Sequence, residues 1–262
     1  MAQLQLRPMG VGEIITASLT VYARRWRTLF AVAGVLILPY AVLYLALAEP
    51  PPAIPLDPTN DEAREFLSTM GPWLLIRLFI LTIMLAAVIR TTMETYVGIE
   101  SPWRQPAAAA ISRMVALTVV AVLFWSAAVL GFTLFVLPGV FLIVCFSASV
   151  PVVMAEGVDP IAALGRSWRM TSGRRWHVLG VLLLSSALVV IGSLVVYLVV
   201  GPVLYRFWGS FGLSVASELV WIALQPFLGV ALAVMYLDLR VRKEDLDTEW
   251  LSLQLSATSF DQ

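Results

Sequence analysis

Long apolar segments separated by short polar ones form the main pattern along the chain. Four of the apolar segments cover residues 29–48, 73–97, 178–200 and 213–237. Each can cross a bilayer as a helix, because a helix rises about 1.5 Å per residue and the hydrocarbon core is about 30 Å thick. The pattern therefore predicts at least four membrane-spanning helices.

A fifth apolar segment, residues 115–155, contains no charged residue and is about twice as long as one crossing requires. It must therefore fold back, and Pro138-Gly139 is the natural turn because both residue types interrupt regular structure. We predict two helices here, over residues 115–137 and 139–155. The predicted fold class is all-α, a polytopic integral membrane protein with six transmembrane helices in three hairpins.

The composition favours the same class. Of the 262 residues, 60% are hydrophobic and 13% are charged, and the mean hydropathy is +0.89. A soluble domain usually has about 25% charged residues, so this chain has too little polar surface to cover itself in water. The 17 basic and 17 acidic residues cancel, which gives no general attraction to nucleic acid. The single cysteine, Cys145, is predicted to be a small apolar residue without a disulfide.

The distribution of arginine and lysine predicts the orientation. With six helices, one side holds 14 of the 17 basic residues, and the other side holds Arg64, Arg77 and Arg206. Cytoplasmic segments carry the excess of basic residues, so both termini are predicted to be cytoplasmic. Residues 49–72 then form an extracytoplasmic loop, and residues 238–262 form a cytoplasmic tail.

Each predicted hairpin follows a segment with one apolar and one polar face. The first copy, residues 13–27, has its apolar side chains at Ile15, Leu19, Tyr22 and Trp26. Residues 159–170 repeat the pattern with Ile161, Leu164 and Trp168, and residues 101–114 form a weaker copy. Such spacing predicts amphipathic helices along the cytoplasmic side of the membrane, beginning with residues 1–28. The chain is thus predicted to contain three repeated units, each an amphipathic helix followed by a hairpin.

Three stretches of the sequence resemble a known family. They read "LRPMGVGEIITASLTVYARRWRTL", "VVMAEGVDPIAALGRSWRMTSGRRWHVLGVLLL" and "YLDLRVRKEDLD". They are similar to the glycerophosphoryl diester phosphodiesterase membrane domain and its stand-alone bacterial relatives, and the resemblance covers nearly the whole chain. It implies a six-helix module in a bacterial cytoplasmic membrane, without the soluble catalytic domain that some members carry. Many members consist of the membrane module alone, with no established activity.

The tripeptide Arg-Arg-Trp occurs twice, each time just before a long apolar segment. The first motif is Arg24, Arg25 and Trp26, and the second motif is Arg174, Arg175 and Trp176. Such residues can anchor the cytoplasmic edge of membrane helices, or their guanidinium groups can bind the phosphate of anionic lipids. A third interpretation is a specific phosphate-bearing substrate. All six residues are candidate contacts to lipid headgroups.

The last apolar segment contains polar side chains. Glu218 and Gln225 are seven residues apart and share a helical face, and Pro226 follows. An acidic residue within a span is costly and normally faces a cavity or the bundle interior, which makes both residues candidates for lining a cavity. Alternatively, Glu218 lies near the outer interface and pairs with Arg206 or Arg77. Two i,i+4 ion pairs, Arg90–Glu94 and Asp238–Arg242, are also predicted.

Groups with catalytic potential are sparse in the sequence. His177 is the single histidine, and no partner base or metal ligand is indicated for it. Phosphate-cradling loops and zinc-ligand spacings are absent from the sequence, so no cofactor or metal is expected. The predicted function is non-catalytic: to bind or organise membrane lipids, anionic ones included, or partner membrane proteins, or copies of itself in a homo-oligomer. The alternative is a transporter of small molecules or lipids with a cavity near Glu218.

Overall fold

The computed structural model describes residues 7–47, 61–244, 251–253 and 255, and within these residues the regular elements are helices. In chain order they are α1 (Val11–Leu47), α2 (Asp61–Tyr96), α3 (Arg104–Ser112), α4 (Met114–Leu134), α5 (Val136–Phe146), α6 (Ser149–Glu156), α7 (Pro160–Thr171) and α8 (Arg175–Glu244). Five stretches are long and apolar enough to span a membrane, namely α1, α2, α4, Val136–Glu156 and α8. The prediction of an all-helical chain of this kind is confirmed.

Helix α8 doubles back on itself at Gly209. Its 70 residues would extend roughly 105 Å if straight. Gly209 has φ +61° and ψ −143°, which a residue with a side chain rarely adopts, and it breaks the helix there. A methyl group on Gly192 would lie 3.3 Å from Leu224, so the two arms, residues 175–208 and 210–244, pack side by side in opposite directions. The two arms contain the last two predicted spans.

Helices α4 and α5 form a second hairpin, but its turn is not where the sequence predicted it. The break is at Phe135, whose extended backbone has φ −173° and ψ 162°. Pro138 and Gly139 lie inside α5, so the prediction of a Pro138-Gly139 turn is wrong. The physical reason is that proline in the first turn of a helix loses no hydrogen bond, since the amides there have no partner within the helix.

The other predicted boundaries also shift. Helix α1 joins the predicted amphipathic segment to the predicted span, with a kink at Arg25 (φ −110°, ψ 16°). Helix α2 begins at Asp61, so residues 61–72 of the predicted loop are helical. Residues 1–6 and 48–60 lie outside the described residues, as do 245–250, 254 and 256–262 of the predicted tail.

Helices α1, α2 and α8 pack together around a shared core. A methyl group on Gly229 of α8 would lie 2.8 Å from Val88 of α2, so these two helices approach very closely. Small residues at such contacts are typical of membrane helices, where tight packing replaces the hydrophobic drive of water. Helices α4 to α7 pack on the same core, with α4 beside α5 and α6 beside α7, and α7 leads the chain back to α8.

The buried face of α1 is rotated from the predicted one. Ile14, Ser18 and Val21 are fully buried. Of the predicted apolar face, Ile15 is buried, whereas Leu19 and Trp26 are 50% and 46% exposed. Helix α7 shows the same shift: Ala163 and Ser167 are buried, while Ile161 and Trp168 of the predicted face are exposed. In both segments, buried small or polar side chains share the packed face with larger apolar ones such as Ile14 and Met170, and other large apolar side chains point outward.

Candidate functional site

The first motif lies at the kink of α1 and is divided between the interior and the surface. Arg25 is buried, and its Nη2 donates a hydrogen bond of 2.8 Å to the carbonyl of Ser101. Arg24 is exposed, with an ion pair of 3.3 Å to Glu100, and Trp26 is also exposed. Of the two adjacent arginines, one therefore holds the loop before α3 and the other remains at the surface.

The second motif lies where α7 is joined to α8. The connection turns at Gly173, whose φ is +78°, and α8 begins at Arg175. Arg174 is exposed and Arg175 is half-buried, so the two motifs share a pattern in which the first arginine faces out and the second faces in. Trp176 is 86% exposed, as a side chain at the level of lipid headgroups would be.

Arg175 and Trp176 border a groove between α5 and the start of α8, which we call the α5–α8 groove. Its volume is about 730 Å³. Its other lining residues are Leu137, Pro138, Val140, Phe141, Val144 and Leu179. Small-molecule sites typically have volumes of about 300–1,000 Å³ and apolar walls with a few polar groups, so this groove is of the size and character of a ligand site.

Aromatic rings hold the Arg175 guanidinium in place. Its central carbon lies 4.6 Å from the ring centre of Phe141 and 5.0 Å from that of Trp168, both within the range of cation–π attraction. Its buried Nε has no hydrogen-bond partner among the described residues. Among the residues that the structure describes, no carboxylate pairs with Arg175. A cation with one unused donor, its Nε, therefore stands at one end of an apolar groove.

Glu218 lies far from the two motifs, in an ion pair with Arg77. The distance between Arg77 Nη1 and Glu218 Oε1 is 2.8 Å, and the guanidinium lies 3.9 Å from the ring centre of Trp221. Of the two interpretations of Glu218, the ion pair is the one that the geometry shows. The adjoining cavity measures about 10 Å³, the space of a single water molecule, and Gln225 does not line it. The geometry at Glu218 thus gives the transporter alternative no support.

A polar cluster around Asp238, which the sequence did not predict as a whole, joins three parts of the chain. Asp238 is fully buried and accepts hydrogen bonds from Arg242 Nε at 2.9 and 3.0 Å and from the backbone N–H of Met9 at 2.6 Å. The Nε2 of His177 lies 3.2 Å from Asp238 Oδ2, without hydrogen-bond alignment. The predicted Asp238–Arg242 pair is confirmed, and His177 has a carboxylate neighbour that the sequence did not indicate.

A second cluster connects α6, α7 and α8. Tyr236 Oη donates to Glu156 Oε1 at 2.9 Å, and Arg166 Nε donates to the same carboxylate at 3.0 Å. Arg166 also pairs with Glu244. Burial lowers the pKa of Arg166, but the Glu156 and Glu244 carboxylates outweigh it and the pKa is raised, so this arginine stays charged. The cluster fixes α7 against the end of α8.

The predicted Arg90–Glu94 pair is confirmed at 2.8 Å, and Arg90 also donates to the carbonyl of Leu255.

Among the described residues, no group of three or more histidine, cysteine, aspartate or glutamate side chains is placed to hold a metal ion. The polar clusters at this end of the bundle therefore connect helices and the two terminal segments. The described geometry leaves the α5–α8 groove as the candidate ligand site.

Comparison with protein-family models, with curated proteins and with solved structures found no match to this chain. The resemblance of the three sequence stretches to the glycerophosphoryl diester phosphodiesterase membrane domain stays a prediction.

Proposed function

We propose that this protein is a non-catalytic integral membrane protein that binds and organises anionic lipids on the cytoplasmic face of a bacterial plasma membrane. Its six apolar segments enter the membrane as three hairpins, formed by α1 with α2, by α4 with α5 and α6, and by the two arms of α8. Both termini are cytoplasmic in this proposal. Partner membrane proteins or further copies of the chain would bind to the same lipid-facing surface.

The observation that carries this proposal is the shared surface pattern of the two motifs. Arg24 and Arg174 are exposed, and each stands next to an exposed tryptophan, Trp26 or Trp176, where a long apolar helix kinks or begins. Tryptophan favours the headgroup level of a membrane. Each basic residue near an anionic surface contributes about 1 kcal/mol of attraction. The pattern therefore suits a surface that gathers anionic lipid.

The orientation is supported by the positions of the helix ends. The Asp238 cluster brings the segment before α1 next to the end of α8, so these ends lie on one side of the bundle. The end of α2 is on that side too, because Val88 lies beside Gly229 and both helices run on from there in the same direction. The segments that meet here are rich in basic residues, as a cytoplasmic side should be, and contain Arg7, Arg90, Arg240, Arg242 and Lys243.

The double substitution Arg24→Gln with Arg174→Gln tests the proposal. Removal of two exposed cations should weaken the enrichment of anionic lipid around the protein by about 2 kcal/mol at low salt, roughly thirtyfold, since each contributes about 1 kcal/mol. The measurement is energy transfer from the protein's tryptophans to labelled anionic or zwitterionic lipid in vesicles that contain the purified protein.

The matched control is Arg64→Gln with Arg206→Gln, two exposed arginines that the orientation places on the other side. In vesicles that carry anionic lipid only in the leaflet facing the cytoplasmic side of the protein, this control should retain the wild-type signal. An equal loss in both double variants, or no loss in either, would contradict lipid binding through the two motifs.

A further inference from the structure

We infer that the α5–α8 groove holds one anionic phospholipid of the cytoplasmic leaflet, with the phosphate at Arg175 and an acyl chain along α5. This inference rests on the proposed lipid-binding function and adds a single stoichiometric site to it. The site differs from the general surface attraction, because it depends on the inward arginine of the second motif and the outward one has no part in it.

The positive charge of Arg175 favours the binding of an anion in the groove. The Arg175 guanidinium has a buried Nε with no partner, and within the described part of the chain no carboxylate neutralises it. A half-buried cation without a counter-charge is costly, and a guanidinium is the side chain that best matches the oxygens of a phosphate. The stacking on Phe141 and Trp168 keeps the guanidinium at the groove.

The start of α8 adds a second source of attraction for a phosphate. The first hydrogen bond within this helix runs from the N–H of Val178 to the carbonyl of Arg174. The backbone N–H groups of Arg175, Trp176 and His177 therefore have no acceptor within the helix. Such an N-terminus carries a partial positive charge and is a common phosphate-binding position. The N-terminus of α8 and the guanidinium group are thus both at Arg175.

The shape of the groove favours a lipid over a soluble phosphate compound. From Val144 to Leu137, α5 rises roughly 10 Å and presents apolar side chains along the groove. The wall continues into an exposed apolar surface at Phe135, Val136 and Leu137, which are 70%, 63% and 75% exposed. A groove that begins at a cation and opens onto such a surface fits a headgroup followed by an acyl chain.

The test counts lipids that remain on the purified full-length protein. After incubation in detergent with phosphatidylglycerol or phosphatidylcholine, native mass spectrometry should show one phosphatidylglycerol retained per wild-type chain. Arg175→Gln should weaken this retention about tenfold or more, the loss expected when hydrogen bonds to a charged group are removed. Arg206→Gln, which removes the same charge from an exposed arginine outside both motifs, should retain the lipid.

Two further arms make the result decisive. Val140→Trp keeps Arg175 and fills the groove, so it should also abolish retention and tests the site even if Arg175→Gln fails to fold. Inorganic phosphate should not displace the lipid, whereas displacement would identify a soluble phosphate as the ligand and overturn the inference.

Equal loss in Arg206→Gln and Arg175→Gln, or retention in Val140→Trp, would also overturn the single site. The general lipid enrichment is tested separately, by the double variant Arg24→Gln with Arg174→Gln, and does not depend on this outcome.

Discussion

Asp238 shows how one side chain can connect distant parts of this chain. Its carboxylate is fully buried and accepts hydrogen bonds from Arg242 on its own helix and from the backbone of Met9 before α1. Arg242 in turn donates to the carbonyl of Met9 at 2.6 Å. The spacing of Asp238 and Arg242 in sequence predicts their ion pair, but Met9 and His177 come to Asp238 only through the packing of α1 and both arms of α8.

The substitution Asp238→Asn tests how much this cluster contributes to the stability of the protein. It keeps the shape of the side chain but leaves Arg242 without its counter-charge. Breaking a buried pair in this way costs about 3–5 kcal/mol of folding free energy. We expect a clear fall in the thermal unfolding midpoint of the detergent-solubilised protein, followed by tryptophan fluorescence.

The control for this experiment is Glu100→Gln, which removes an exposed carboxylate that pairs with Arg24 at 3.3 Å. An exposed pair contributes at most about 1 kcal/mol, so this variant should unfold near the wild-type temperature. If the two variants were equally stable, the Asp238 cluster would not be a significant source of stability.

At the element scale, the close approach of α4 and α5 depends on two glycines. A methyl group on Gly131 would lie 2.8 Å from the Cα of Gly139, which is closer than real side chains come to a backbone. The short break at Phe135 leaves no room for the helices to separate. The pairing of these helices is thus built on the absence of side chains at both positions.

We therefore expect Gly131→Ala to destabilise the protein by about 1–3 kcal/mol, because the helix backbones would have to move apart. Gly12→Ala is the matched control, since a methyl group on Gly12 of α1 meets nothing within 4 Å. That control should be neutral, or stabilising by up to about 1 kcal/mol through helix propensity. Equal effects of the two substitutions on thermal unfolding would show that α4 and α5 do not pack this closely.

At the scale of the whole molecule, the three hairpins of the proposed arrangement should differ in how far they extend from the proposed cytoplasmic end. The arms of α8 meet near Gly209, well beyond the Arg77–Glu218 pair. The α4–α5 hairpin ends at Phe135, only six residues from Phe141, which contacts Arg175 at the start of α8. Six residues rise roughly 9 Å, well short of the roughly 30 Å of a hydrocarbon core. With Arg175 at headgroup level, as the proposed lipid site requires, the tip of this hairpin should end inside the bilayer, although α4 and Val136–Glu156 are each long enough to cross it.

Single cysteines in a Cys145→Ala background test this arrangement with a membrane-impermeant maleimide. A cysteine at Ser210, beside the α8 turn, should be labelled in intact cells. One at Glu100, in the loop after α2, should be labelled only after permeabilisation. One at Phe135 should be protected in both conditions, because apolar side chains surround it and lipid covers it. Labelling at Glu100 in intact cells would reverse the orientation, and labelling at Phe135 from outside would show a complete crossing.

The sequence by itself determined that the chain folds into long apolar helices, and it determined their approximate positions. Stretches of 20 or more apolar residues have one stable solution in a membrane, because backbone amides can find no partners in lipid except within a helix. The i,i+4 pairs Arg90–Glu94 and Asp238–Arg242 were also determined locally, since helix geometry alone brings such residues together.

Only the tertiary structure decided which face of α1 and α7 is buried, where α4 turns into α5, and which arginine of each motif points inward. Hydrophobic periodicity predicts one buried stripe per helix, but in a membrane apolar side chains are also stable on the outside, facing lipid. Small and polar residues such as Ser18 and Ser167 can then take the packed positions. The α5–α8 groove exists because α7 brings Arg175 beside Phe141, a contact between residues more than 30 positions apart that no local pattern encodes.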